Sequence, residues 1–246
     1  MVSGQIARWL RQFTLASLAF VACIAVIYRF SSTEEIVYLQ VANKTFSSEA
    51  PTVVLDAGHG GEDCGAVGVN GVYEKDLNFS ICAFLAAQLR SAGYRVIETR
   101  TKDALLYDPD TVTPGHKKVT DLTSRLEIAS SYPGALVISI HMNSFPSPSS
   151  CGLQVWYSPA FAEAKELAEG IQTQVKNTLQ PENHRKPKGS AGAIYLLDRA
   201  ENPTVLVECG FLTNPEECAK LTEGEYQKEL SFVLFCAIMD YIMSDV

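Results

Sequence analysis

Four residues able to do acid–base or metal chemistry stand where an α/β chain gathers a site. His59 follows the apolar run VVLDAG, His141 follows LVISI and Glu208 follows TVLV. Glu74 opens the amphipathic stretch EKDLNFSICAFL. Ligands of such sheets bind beyond the carboxyl ends of the strands, so the three strand-end residues share one rim. Glu74, at a helix start, lies near the same rim. Two imidazoles and a carboxylate are a suitable set for a catalytic Zn²⁺ that keeps one position open for water. A further carboxylate nearby can carry protons. His116, in a Pro/Gly loop, and His184, in the polar stretch NHRKPK, read instead as surface groups. Taken alone, Glu74 is simply a favourable first-turn residue of a helix. A carboxylate that ends an apolar strand, as Glu208 does, needs a partner. Position alone therefore points to a metal hydrolase.

The elements that must position these residues are legible as alternating patterns. PTVVLDA, YRVIETR, ALVISIH, GLQVWYS, AIYLL and PTVLVE read as strands. Between them, YEKDLNFSICAFLAAQLRSAG reads as a helix, with Leu77, Ile81, Phe84, Leu85 and Leu89 on one face and Gly93 as its stop. Further helices are expected around Asp121 to Ser131, over AFAEAKELAEGIQTQVKNTL and over FVLFCAIMDYIM. Residues 101 to 119 form a loop broken by Pro109, Pro114 and Gly115. The expectation is an α/β fold: an open, mostly parallel twisted sheet with helices on both faces, in a single catalytic domain spanning 51–246.

The 246 residues suffice for one domain with a substantial core, and 47% hydrophobic with 20% charged residues is ordinary globular composition. A net charge of −8 argues against a nucleic-acid partner. Residues 1–30 differ from the rest. Phe13 to Tyr28 carries no charge, with Arg8 and Arg11 before it and Arg29 after it. As a helix it rises about 25 Å, slightly short of a bilayer core, a gap that snorkelling arginines and local thinning can close. An uncleaved signal anchor, a cleaved signal peptide and lipidation at Cys23 are the competing readings. All three export the remainder to the outer face of the membrane or the cell wall. Residues 31–50 are a polar linker or extension. The seven cysteines are odd in number and contain no C-x-x-C pair, so neither a zinc knuckle nor a disulfide framework is expected.

The stretches VVLDAGHGGEDCGAVG, YEKDLNFSICAFLAAQLRSAGYRVIETR, SRLEIAS with VISIHMNSF, and PTVLVECGFLTNPEE occur in that order, spread over residues 53 to 217. Together they resemble the zinc-dependent N-acetylmuramoyl-L-alanine amidases of the type-3 family. The resemblance implies one zinc ion held by His59, Glu74 and His141, with Glu208 as the catalytic glutamate. It also implies that Asn143 orients a ligand or binds substrate. The implied substrate is peptidoglycan, cut at the amide between N-acetylmuramic acid and L-alanine of the stem peptide.

In some relatives an inserted helix covers the site until an activator removes it. Here NSFPSPSSCGLQVWYS runs directly into the next strand, so control is expected from placement, expression or an accessory envelope protein. The compact domain, the N-terminal apolar segment and VECGFLTNPEE are most like the germination-specific spore cortex amidases, which serve muramic-δ-lactam formation. The alternatives are vegetative wall turnover or cell separation, a zinc carboxypeptidase acting within the stem peptide, and a wall-binding module without catalysis.

Overall fold

The structure, a computed structural model, describes residues 51–107 and 116–244. The anchor, signal and linker readings of residues 1–50, and part of the 101–119 loop, lie outside the described residues.

Six strands form one sheet: β1 (Thr52–Ala57), β2 (Arg95–Glu98), β3 (Leu136–Asn143), β4 (Gln154–Tyr157), β5 (Lys188–Gly189) and β6 (Thr204–Phe211). Their order is β2-β1-β3-β6-β4-β5. All neighbours run parallel except β4 and β6. Helices α1 (Glu74–Ser91), α2 (Lys117–Ser130), α3 (Ala162–Thr178), α4 (Tyr195–Asp198), α5 (Pro215–Thr222) and α6 (Gly224–Ser244) complete the described fold.

Strand alternation divides the interior into two unequal halves. Val53, Leu55 and Ala57 of β1 face the same way as Leu136, Ile138 and Ile140 of β3 and as Val205 and Val207 of β6. There they join the buried faces of α1, α3 and α6 in the main core. Val54 and Val137 point to the opposite side, where α2 covers them with Ala129. That second side turns polar toward the carboxyl end of the strands. Asp56 and Ser139 are neighbours across β1 and β3, and the Ser139 hydroxyl donates to Asp56 at 2.6 Å. Thr99 donates to the same carboxylate at 2.7 Å and Arg125 at 2.6 Å. Burial alone would raise the Asp56 carboxyl, but Arg125 and the hydroxyl donors outweigh it and hold it at about 2. The Asp56 charge is thus retained in the interior because it is fully partnered.

One sequence expectation is corrected. AIYLL is not a strand: Tyr195–Asp198 is a single helical turn. The Asp198 carboxylate accepts from the backbone N–H of Gly192 and Ile194, which curls this stretch. Leu196 and Leu197 are both buried, which a strand open to solvent on one side cannot achieve for adjacent residues. The sheet edge is taken instead by Lys188–Gly189, too short to show any periodicity. Helix α5 was not expected. Its Asn214 N-cap accepts from the N–H of Glu216 and Glu217, with Pro215 in the first turn. The six cysteines among the described residues are free.

Candidate metal centre

Strand β1 ends at Ala57, and the next residues turn the chain across the end of β3. The Gly58 N–H still bonds the Ile140 carbonyl at 3.1 Å. His59 then adopts a left-handed conformation (φ 61°), which costs a non-glycine residue of order 1–3 kcal/mol and persists only when its surroundings impose it. His141 continues β3 beside Glu208 of β6 in direct register. Glu74 is the first residue of α1 and is buried, with 3% exposure.

The three residues meet. One ligand atom from each of His59, Glu74 and His141 lies within 4.8 Å of the others. Glu74 Oε1 is 3.3 Å from His59 Nε2 and 2.9 Å from His141 Nδ1. Ligand atoms about 2.0–2.1 Å from a tetrahedral zinc are separated by about 3.3 Å, and the two distances from Glu74 to the histidine nitrogens lie near that value. His59 Nδ1 faces Asp63 Oδ2 at 2.9 Å. A proton on Nδ1 leaves the Nε2 lone pair free toward the site, the usual outer-shell arrangement around a metal-binding histidine. Glu74 Oε1 also accepts from the Met142 N–H at 2.9 Å, and Oε2 accepts from the Ala66 N–H at 2.8 Å. Burial opposes ionisation of Glu74, yet the hydrogen bonds to His141 and His59 keep its carboxyl far below the usual range. It is therefore anionic, the form a cation requires.

Glu208 stands apart from this exchange of bonds. Its Oε2 is buried without a hydrogen-bond partner, and burial pushes its carboxyl up to about 7 against the lowering influence of His141. A carboxyl near neutrality can both accept and return a proton at physiological pH. Asn143 closes β3, where the register with β6 shifts between His141 and Asn143. Its carbonyl accepts from the Leu212 N–H at 2.9 Å. His116 directly precedes α2, and His184 is exposed; neither belongs to the cluster.

Several contributors escaped the sequence reading. Asp63 lies four residues beyond His59, a spacing that carries meaning only once the left-handed turn is known. Arg100 and Arg125 supply donors to the carbonyls of residues 57 to 59, and nothing in ETR or SRLEIAS states that destination. Gly65 admits no side chain, because a Cβ there would meet Glu74 Oε2 at 2.6 Å and His59 Cδ2 at 2.8 Å. The TNPEE segment, quoted above for its resemblance, closes a loop. Glu217 accepts from the N–H of Phe211 and of Gly152, tying the end of β6 to the approach to β4.

A family model described as N-acetylmuramoyl-L-alanine amidase matches residues 53–239. A germination-specific N-acetylmuramoyl-L-alanine amidase of Bacillus subtilis is 34% identical over 189 residues, covering 77% of this chain and 78% of the relative. Among solved structures, the CwlD amidase of Clostridioides difficile, determined in complex with the GerS lipoprotein, is 36% identical with a TM-score of 0.75. That match covers 79% of this chain and 99% of the CwlD chain. The amidase AmiC2 of Nostoc punctiforme is 29% identical with a TM-score of 0.68, covering 80% of this chain and 99% of the other.

Proposed function

The chain belongs to the N-acetylmuramoyl-L-alanine amidase family, and from that premise we propose how its residues divide the hydrolysis of peptidoglycan. His59, Glu74 and His141 hold one zinc ion, and Glu208 is the proton carrier. The observation that carries this reading is the convergence of the three ligand atoms within 4.8 Å. The unpartnered buried oxygen of Glu208 on the strand beside His141 supports it. Zinc supplies Lewis acidity, which acidifies water and polarises an amide carbonyl.

The chain's own groups do the rest. Glu208 takes a proton from the attacking water and delivers it to the nitrogen of the departing L-alanine, since an amide nitrogen leaves poorly without one. Asp63 holds the His59 ring in the tautomer that presents Nε2. Asn143, two residues beyond His141, orients the substrate. The scissile bond joins the lactyl group of N-acetylmuramic acid to L-alanine. Residues 51–246 form the catalytic domain, and residues 31–50 link it to the N-terminal segment. The arginine-flanked apolar run of residues 13–28 supports export and anchoring at the outer face of the cytoplasmic membrane. Among the described residues, no helix is long and apolar enough to cross a membrane.

Product analysis tests the chemistry. The purified protein with zinc should release stem peptides bearing a free N-terminal alanine from peptidoglycan. Chelation should abolish that release and zinc should restore it. Cleavage within the stem peptide, or turnover indifferent to the chelator, contradicts the proposal.

The cellular setting proposed is the spore cortex, supported by similarity to the germination-specific relative. An accessory envelope protein is part of this setting; the similar CwlD structure contains a lipoprotein. Spores of a deletion strain should lack muramic-δ-lactam. Unchanged lactam would assign the enzyme to vegetative wall turnover instead.

A further inference from the structure

We infer that Arg100 is a positioning residue that fixes the separation between the His59 and Glu74 ligand segments; the inference rests on the metal-centre reading above. The Arg100 side chain is buried, with 4% exposure. Its hydrogen bonds go to four backbone carbonyls and to no carboxylate: Nε to Ala57 at 2.8 Å, Nη1 to Lys102 at 3.3 Å, and Nη2 to Gly58 at 3.3 Å and Lys75 at 2.7 Å. The guanidinium also lies over the Phe79 ring, 5.1 Å from its centre.

Placing a cation in the interior against neutral acceptors is costly. Burial and the nearby Arg125 lower the affinity of Arg100 for its proton, an effect that Asp56 and Asp103 offset only in part. Arg125 is different: it is compensated by Asp56 and Asp121. What Arg100 gains is geometric. Ala57 and Gly58 immediately precede His59, and Lys75 immediately follows Glu74. One rigid planar fork therefore grips the chain beside two of the three ligands, which come from different elements.

The grip is reinforced from both sides. Asn78 donates to the Gly58 carbonyl at 3.1 Å and to Glu74 Oε1 at 3.3 Å, bridging the same two segments. Arg125 donates to the Ala57 carbonyl and to the His59 carbonyl, each at 2.8 Å. Three consecutive carbonyls, at residues 57, 58 and 59, are thus held by side-chain donors. This accounts for the persistence of the left-handed His59 without a glycine at that position. Arg100 alone among these donors reaches the main chain of both ligand segments.

The test uses the full chain and its Arg100→Lys and Arg100→Gln variants, with Leu230→Ala as a core-destabilised comparison. The zinc dissociation constant is measured by competition with a chromophoric chelator, unfolding of the metal-free protein in denaturant, and kcat and KM on peptidoglycan fragments. Both Arg100 variants should bind zinc about 10–100-fold more weakly, with kcat reduced and KM little changed. The Lys variant should not be rescued, because a single ammonium cannot span the four carbonyls. Leu230→Ala should lose stability while binding zinc as the parent does. Parent-like zinc affinity in Arg100→Lys, or an equal loss of affinity in Leu230→Ala, overturns the inference. If the parent protein binds no zinc, the metal-centre reading falls and takes this inference with it; zinc binding alike in the parent and both Arg100 variants removes only the inference.

Discussion

Glu208→Ala is expected to lower amidase turnover by about 10³-fold while the protein keeps its zinc. The two halves of that result come from different features of the site. Glu208 contributes no atom to the cluster formed by His59, Glu74 and His141, so its removal leaves the donor set intact. Its Oε2 has no partner in the interior, an arrangement that costs stability and that the proposed proton transfer would put to use. With burial holding the carboxyl at about 7, the group can take a proton from water and return it to the leaving nitrogen. The same truncation relieves an unsatisfied buried oxygen, so the variant should resist denaturant as well as the parent does, or better. Metal content, turnover and unfolding midpoint measured on one preparation decide the matter. Zinc lost together with activity would make Glu208 a ligand. Turnover retained would end its proton-carrier role.

Gly58→Ala should be nearly as damaging, for a reason that involves no change in chemistry. A Cβ at residue 58 would lie 2.2 Å from both Cε1 and Nε2 of His141 and 2.7 Å from its Cδ2. The backbone cannot retreat easily: the Gly58 N–H is bonded to Ile140, and its carbonyl is held by Asn78 and Arg100. The His141 ring must therefore swing away from Glu74, from which its Nδ1 is now 2.9 Å. Overpacking of this kind costs about 1–3 kcal/mol where a core absorbs it. Here the strain falls on His141, one of the three proposed ligands, and we expect zinc affinity and activity each to drop by about 10²-fold. Gly134→Ala is the instructive contrast. Gly134 has a positive φ of 78° and nothing within 4 Å of the added carbon. That substitution should cost about 1 kcal/mol of stability from backbone strain and leave activity per folded molecule unchanged. Equal zinc binding by Gly58→Ala and the parent protein would show that the ring has room that the structure does not provide.

The sequence by itself determined the fold class and the rim. Strand ends are readable because apolar runs stop where the chain leaves the sheet, and in a parallel sheet those ends lie together. VVLDAGHGG, LVISIH and TVLVE therefore nominate His59, His141 and Glu208 from the sequence alone. Glu74 was legible from the start of the helix pattern in EKDLNF. The antiparallel β4 does not disturb that logic, because β1, β3 and β6 remain parallel and adjacent.

What only the tertiary structure decided is which atoms face one another. Side-chain periodicity names a residue's face but not the distance across it, so it does not tell a carboxylate bonded to both histidines from one with a free oxygen. Glu74 is bonded to both histidines, while Glu208 has a free oxygen. Local pattern was also silent on Asp63, Asn78, Arg100 and Arg125, whose partners include backbone carbonyls and a ring nitrogen without sequence signatures of their own. The failure over AIYLL has the same origin. A short apolar run fits a strand or a turn of helix equally well, and the Asp198 carboxylate decides between them through two N–H groups that alternation does not register. The sequence supplied the reactive groups and the rim on which they stand. Long-range packing supplied their separations, and the chemistry depends on those separations.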